Sequence, residues 1–261
     1  MGFAVRFQGF FIGWFNLQNH FFIMSLTYTE SANPFVVAES KPEARALFIR
    51  RTYGHLAGAI LAFAVLSAML VNWSGAGELA ARMTSGYMWL AVLGAFMGVS
   101  YVADRWARSG TSTGMQYLGL GLFVVAEAVI FLPLLFIAVH YSSPDLLINA
   151  GIITGLLFLG LTATVFVTRK DFSFLRGSLM IGGFVALGVI VASILIGFSL
   201  GLLFSSIMVV FAAGSILYTT SSVLREYHTD QHVAASLALF AGVALLFWYV
   251  LQILMSLAGR D

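Results

Sequence analysis

Glu127 is the first residue of this chain whose type and setting could do chemistry. It stands near the middle of an apolar run, Leu118 to Tyr141, and reads as the only acid that a hydrocarbon core has to hold. Its helical neighbours three and four residues away are Phe123, Val124, Ile130 and Phe131, so no residue of its own helix can pair with it. An acid at the centre of a membrane helix costs roughly 2.5–3.5 kcal/mol on insertion scales. Other helices, or water between them, must therefore surround it, in one of two states. Protonated and hydrogen-bonded to a hydroxyl or carbonyl, it is structural; ionised in a hydrated cavity, it is a cation or proton site. It lies about a dozen residues, roughly 18 Å, from the start of its helix. Arg51, Arg105 and Arg225 fall near that boundary, and Ser67 and Thr154 are the polar residues expected nearest its depth.

Other chemical signals fail on spacing. Gly119 and Gly121 form a GxG with no strand before it and no third glycine in register, so a dinucleotide fingerprint is absent. His228 and His232, with Asp230 between them, have metal-ligand spacing, but no glutamate follows the first histidine and the segment reads as a charged, solvated loop. His55 and His140 are expected at opposite membrane faces, and no Ser/His/Asp set can be placed at one depth. With no cysteine, neither a disulfide framework nor a thiolate metal site is available. The expectation is a protein with no enzymatic activity, cofactor or resident metal.

The elements that must position Glu127 follow from composition. The chain is 60% hydrophobic and 9% charged, against about one-quarter charged in soluble domains. About seven apolar runs of membrane-spanning length are present. The spans are expected near Tyr53 to Trp73, Tyr87 to Ala103, Leu118 to Tyr141, Leu146 to Val167, Leu179 to Phe198, Leu202 to Leu224 and Val233 to Leu257. This is one all-α membrane domain over residues 45–261, preceded over residues 1–44 by an extension and a largely disordered tail. Met1 to Ile23 is too polar for a signal peptide. It reads as a surface-lying segment or as an extension upstream of a natural start at Met24. The stretch from Ser25 is expected to stay mobile to about Glu43.

A sequence pI near 9 suggests nucleic acid only if the cations share a polar face, and here they are sorted by loop instead. Lys41, Arg45, Arg50, Arg51, Arg105, Arg108, Arg169, Lys170, Arg176 and Arg225 fall in alternate connections, ten against the two, Arg82 and Arg260, in the others. The positive-inside rule puts the ten in the cytoplasm, with the N-terminus inside and the C-terminus outside. Gly54, Gly58 and Ala62, and likewise Gly151 and Gly155, have the spacing of close helix packing. Pro133 frees a carbonyl near Val129 and could bend the third span beside Glu127.

The stretch Thr168 to Leu175, with its Lys-Asp-x-Ser-Phe-Leu turn, followed by Gly177, Leu179, Met180 and Gly182, resembles the Bax inhibitor-1 family, and within it the YccA-like bacterial branch. The turn residues are Arg169, Lys170, Asp171, Ser173 and Phe174. The likeness continues at Ala213 to Tyr218 and Gly259 to Asp261, and more weakly at Arg50 to Tyr53 and Phe131 to Leu134. The resemblance implies a seven-helix bundle, its last helix enclosed by the other six, in the bacterial inner membrane. It also implies two activities: a pH-sensitive calcium leak, and binding and modulation of the membrane-embedded ATP-dependent protease FtsH. The family's leak is tied to paired acids on the sixth and seventh helices. Those positions fall here at Thr219 and Gly242, neither of which ionises. Arg105 and Arg108 are alternatives for the basic residue that meets those acids elsewhere. Without the pair, the shared proton that makes such a gate respond to pH is gone. A lone Glu127 is also a poor substitute for a calcium site, which takes six or more oxygens. The leading expectation is therefore a protease partner using its tail and loops, with a slow proton or cation leak past Glu127 as the alternative.

Overall fold

The computed structural model describes residues 36–85, 88–110, 112–143, 145–196 and 201–259. The expectations for Met1 to Ile23, for most of the tail, and for the ends of the second and fifth spans at Tyr87 and Phe198 lie outside them. The described residues form eight helices: α1 Pro42–Val71, α2 Ala76–Met83, α3 Met88–Ala107, α4 Thr113–Tyr141, α5 Asp145–Thr168, α6 Leu175–Ile196, α7 Gly201–Arg225 and α8 His232–Ala258. Five of them, α1, α4, α5, α7 and α8, are long and apolar enough to cross a membrane.

Local chemistry sets several boundaries. Pro42 opens α1, where its missing N–H costs nothing. Ser112 caps α4 by accepting from the Met115 N–H. Gly201 opens α7 at φ +59, a left-handed backbone that favours glycine. The eight-residue α2 was not anticipated in the connection after the first span. Its exposed Glu78–Arg82 pair one turn apart supports it.

Two helices form the interior. The most apolar segment of α8 is 72% buried and that of α4 61%, against 22–33% for α1, α5 and α7. α8 packs against α7, α1, α5, α4 and α3, whereas α6 packs chiefly against α7. Trp248 and Tyr249 of α8 are fully buried. Between the two central helices, Phe123 meets Phe240 at 5.9 Å and Phe131 meets Trp248 at 4.8 Å, both edge to face. Each pair is spaced eight residues along its helix, so α4 and α8 run parallel. Phe63 of α1 closes the cluster at 5.0 Å from Phe131 and 5.8 Å from Phe240. Such contacts contribute about 0.5–1.5 kcal/mol each beyond area burial.

The glycine expectations are corrected. A Cβ at Gly54, Gly58, Gly151 or Gly155 would meet nothing within 4 Å, so none of them mediates a close helix contact. That role falls to Gly119, where a Cβ would collide with the Ala103 carbonyl and Ala107 backbone of α3. Pro133 lies buried within a continuous α4.

Candidate functional site

Glu127 has no exposed surface. It lies on α4 one turn from Phe123 and one turn from Phe131, so the register of those two ring contacts sets it level with Ala244 of α8. Ser67 and Thr154, expected as its polar neighbours, line a cavity of about 500 Å³ between α1, α4, α5 and α8, whose wall includes Ala244. Among the described residues their hydroxyls have no hydrogen-bond partner, so neither bonds to Glu127. Glu127 itself lines neither this cavity nor the two others described below.

Glu127 is not the only interior acid. Asp104, just past the expected end of the second span at Ala103, is only 2% exposed. Its carboxylate accepts from the Arg108 Nε at 2.8 and 3.0 Å. The Arg108 guanidinium lies 5.8 Å over the Tyr227 ring from the α7–α8 loop. Arg108 therefore has its carboxylate partner one helical turn back in its own chain segment. Burial pushes the Tyr227 hydroxyl pKa up, against the pull of Arg108. The i,i+4 spacing of Asp104 and Arg108 is the sequence signal that could have found this pair.

Thr219 stands on α7 and Gly242 on α8, two helices that pack against each other. A Cβ on Gly242 would stand 3.2 Å from Ile216, three residues before Thr219. Thr219 is half-buried and Gly242 buried.

The turn between α5 and α6 ties two helices together. Arg169 ends α5 in a left-handed conformation, φ 50. Its carbonyl accepts from the Arg225 guanidinium at 2.6 Å, and the Phe172 N–H donates to Ser221 of α7 at 3.2 Å. Asp171 accepts from the Ser173 N–H at 2.9 Å and stands 3.8 Å from Arg225. Its carboxyl is held below the ordinary range chiefly by that backbone N–H; burial opposes it, and the Ser173 hydroxyl and Arg225 add to the lowering. Phe174 is 71% exposed. Arg169, Lys170 and Arg225 join Arg45 around a cavity of about 470 Å³.

The basic connections meet at one end of the bundle. Val37, expected in the mobile tail, is instead fully buried, and its N–H donates to the Tyr227 carbonyl at 2.9 Å. The Ser236 hydroxyl lies 2.8 Å from the Thr52 carbonyl. His55 and His232, 177 positions apart, bring their rings to 5.1 Å. His55 Nδ1 donates to the Arg51 carbonyl at 2.6 Å, and Nε2 lies within hydrogen-bond distance of the Tyr117 hydroxyl at 2.9 Å. Nothing in local sequence pointed to this cluster.

An all-helical, multi-pass membrane protein is the class that these elements define. Residues 45–259 match the sequence model of the family described as inhibitor of apoptosis-promoting Bax1, and the chain belongs to this Bax inhibitor-1 family. It is 30% identical to protein PA2604 of Pseudomonas aeruginosa over 82% of this chain and 90% of that one. It is 27% identical to Bax inhibitor 1 of Schizosaccharomyces pombe over 90% and 89%. It is 36% identical to the modulator of FtsH protease YccA of Escherichia coli over 41% of this chain and 49% of that one.

Proposed function

We propose that this protein binds and modulates an FtsH-type, membrane-embedded ATP-dependent protease, acting in membrane protein quality control without catalysis of its own. The likeness to YccA brings in that partner. The observation that supports the reading is the assembly of one basic end from the tail, the α5–α6 turn and the α7–α8 loop. Four cations around one cavity there suit an acidic segment of a partner. In this reading seven helices span the inner membrane, α2 lies at the opposite surface, α8 is central, and the basic end faces the cytoplasm. Glu127 is enclosed in the interior and serves the fold. Deleting Ser25 to Lys41 removes the docked Val37 and should lower recovery of the protease in co-purification. Undiminished recovery counts against the tail.

The leak reading is tested in vesicles loaded with a calcium or pH dye. Native protein and Glu127→Gln are expected to give equal, background-level flux and the same fold, because glutamine still hydrogen-bonds. Flux from the native protein that Glu127→Gln abolishes would put the carboxyl on a conduction path instead.

A further inference from the structure

The outer surface between α1 and α4 carries a groove of about 840 Å³. At its basic end stand Arg50, Arg51, His55 and Tyr117, and beyond them its floor is made of Gly54, Gly58 and Gly121. Nothing lies within 4 Å of where a Cβ on any of these glycines would stand, so the space before them is open. On α1 the lining runs from Leu47 to Leu66, and the part from the Arg50 rim to Leu66 covers roughly 24 Å along the axis. One leaflet, half of a bilayer about 40–45 Å thick with its headgroups, is about as deep.

The charges are arranged to match. Arg50 and Arg51 are exposed and, among the described residues, form no ion pair. His55 is tied at both ring nitrogens, to the Arg51 carbonyl and to Tyr117, so it is fixed in the rim beside the two arginines. We propose that this groove binds one anionic phospholipid, its phosphate on Arg50 and Arg51 and an acyl chain laid over Gly54, Gly58 and Gly121. Guanidinium forks suit phosphate oxygens, and basic pockets at the headgroup level between membrane helices select anionic lipids. A soluble phosphate compound would use the rim and leave the apolar length of the groove empty.

The test is native mass spectrometry of the detergent-purified full chain, titrated with phosphatidylglycerol or with phosphatidylcholine of the same acyl chains. The native protein should retain one phosphatidylglycerol with a preference of roughly 30-fold, the effect of two surface-level arginines. Arg50→Ala with Arg51→Ala should bring that lipid down to the phosphatidylcholine level. Gly58→Phe fills open space and should expel both lipids from the site, with Gly121→Leu as the second variant should the first fail to fold. Lys170→Ala, in the other basic cavity, should leave this site unchanged. Equal retention of the two lipids by the native protein overturns the proposal. So does a preference that survives the double arginine variant. Full retention of phosphatidylglycerol by the groove-filling variants also overturns it, because the lipid then sits elsewhere. A native dimer that Gly58→Phe dissociates without changing lipid retention overturns it too, in favour of a second copy as occupant.

Discussion

The middle of the bundle and its basic end are held together by different forces. In the middle, α1, α4 and α8 meet through Phe63, Phe123, Phe131, Phe240 and Trp248, and the contacts are aromatic faces and edges. At the basic end, helices and loops far apart in sequence are joined by polar contacts: Val37 to Tyr227, Ser236 to Thr52, Phe172 to Ser221 and Arg225 to Arg169. In lipid, helices gain little from hiding apolar surface from one another, so close packing has to hold the middle. At the end, where connections reach water, each backbone group needs a partner and the contacts become directional. The polar end is thus the better place for a specific partner, and the aromatic middle the better place for stability.

Three substitutions probe that contrast. Phe131→Ala removes the ring that meets Phe63, Phe247 and Trp248. It should cost about 3–5 kcal/mol and lower the unfolding temperature in detergent the most. Asp104→Ala strands the Arg108 guanidinium, which is only 13% exposed. A loss near 3 kcal/mol is expected in denaturant titration, the low end for a broken buried pair; an effect within error would mean that the pair is solvated. Asp171→Asn should have the smallest effect, under about 1 kcal/mol at neutral pH, because its carboxylate is half exposed and its pair with Arg225 is long. The folded Asp171 carboxyl titrates below its ordinary value. Its contribution is therefore present above the unfolded pKa of about 3.9 and lost as pH falls through the folded one. The stability difference between native and Asp171→Asn protein should shrink over that acid range and stay flat above it.

Much of this was legible in the chain itself. Apolar runs located the long helices to within a few residues at most ends, and loop charges forecast that Arg169 and Arg225 would share one end. Orientation about each helix axis was not legible. α4 and α8 are apolar on all sides, so no periodicity says which side turns inward. Spacing alone likewise made Gly54 and Gly58 of α1 pass for packing residues, while Gly119 of α4 had the close contact. Asp104 lies just past the expected end of the second span, and its burial, with Tyr227 of the α7–α8 loop beside its partner Arg108, is a tertiary feature. The His55–His232 contact depends on α1 and α8 lying side by side, which the order of the spans does not encode.

The most direct test of the protease reading is the rate at which a reconstituted FtsH-type protease degrades a membrane substrate as this protein is titrated into the same vesicles. The rate should change with added protein until it saturates, and the change should be lost when residues Ser25 to Lys41 are deleted. A rate that stays constant through a molar excess of the full chain would contradict the account.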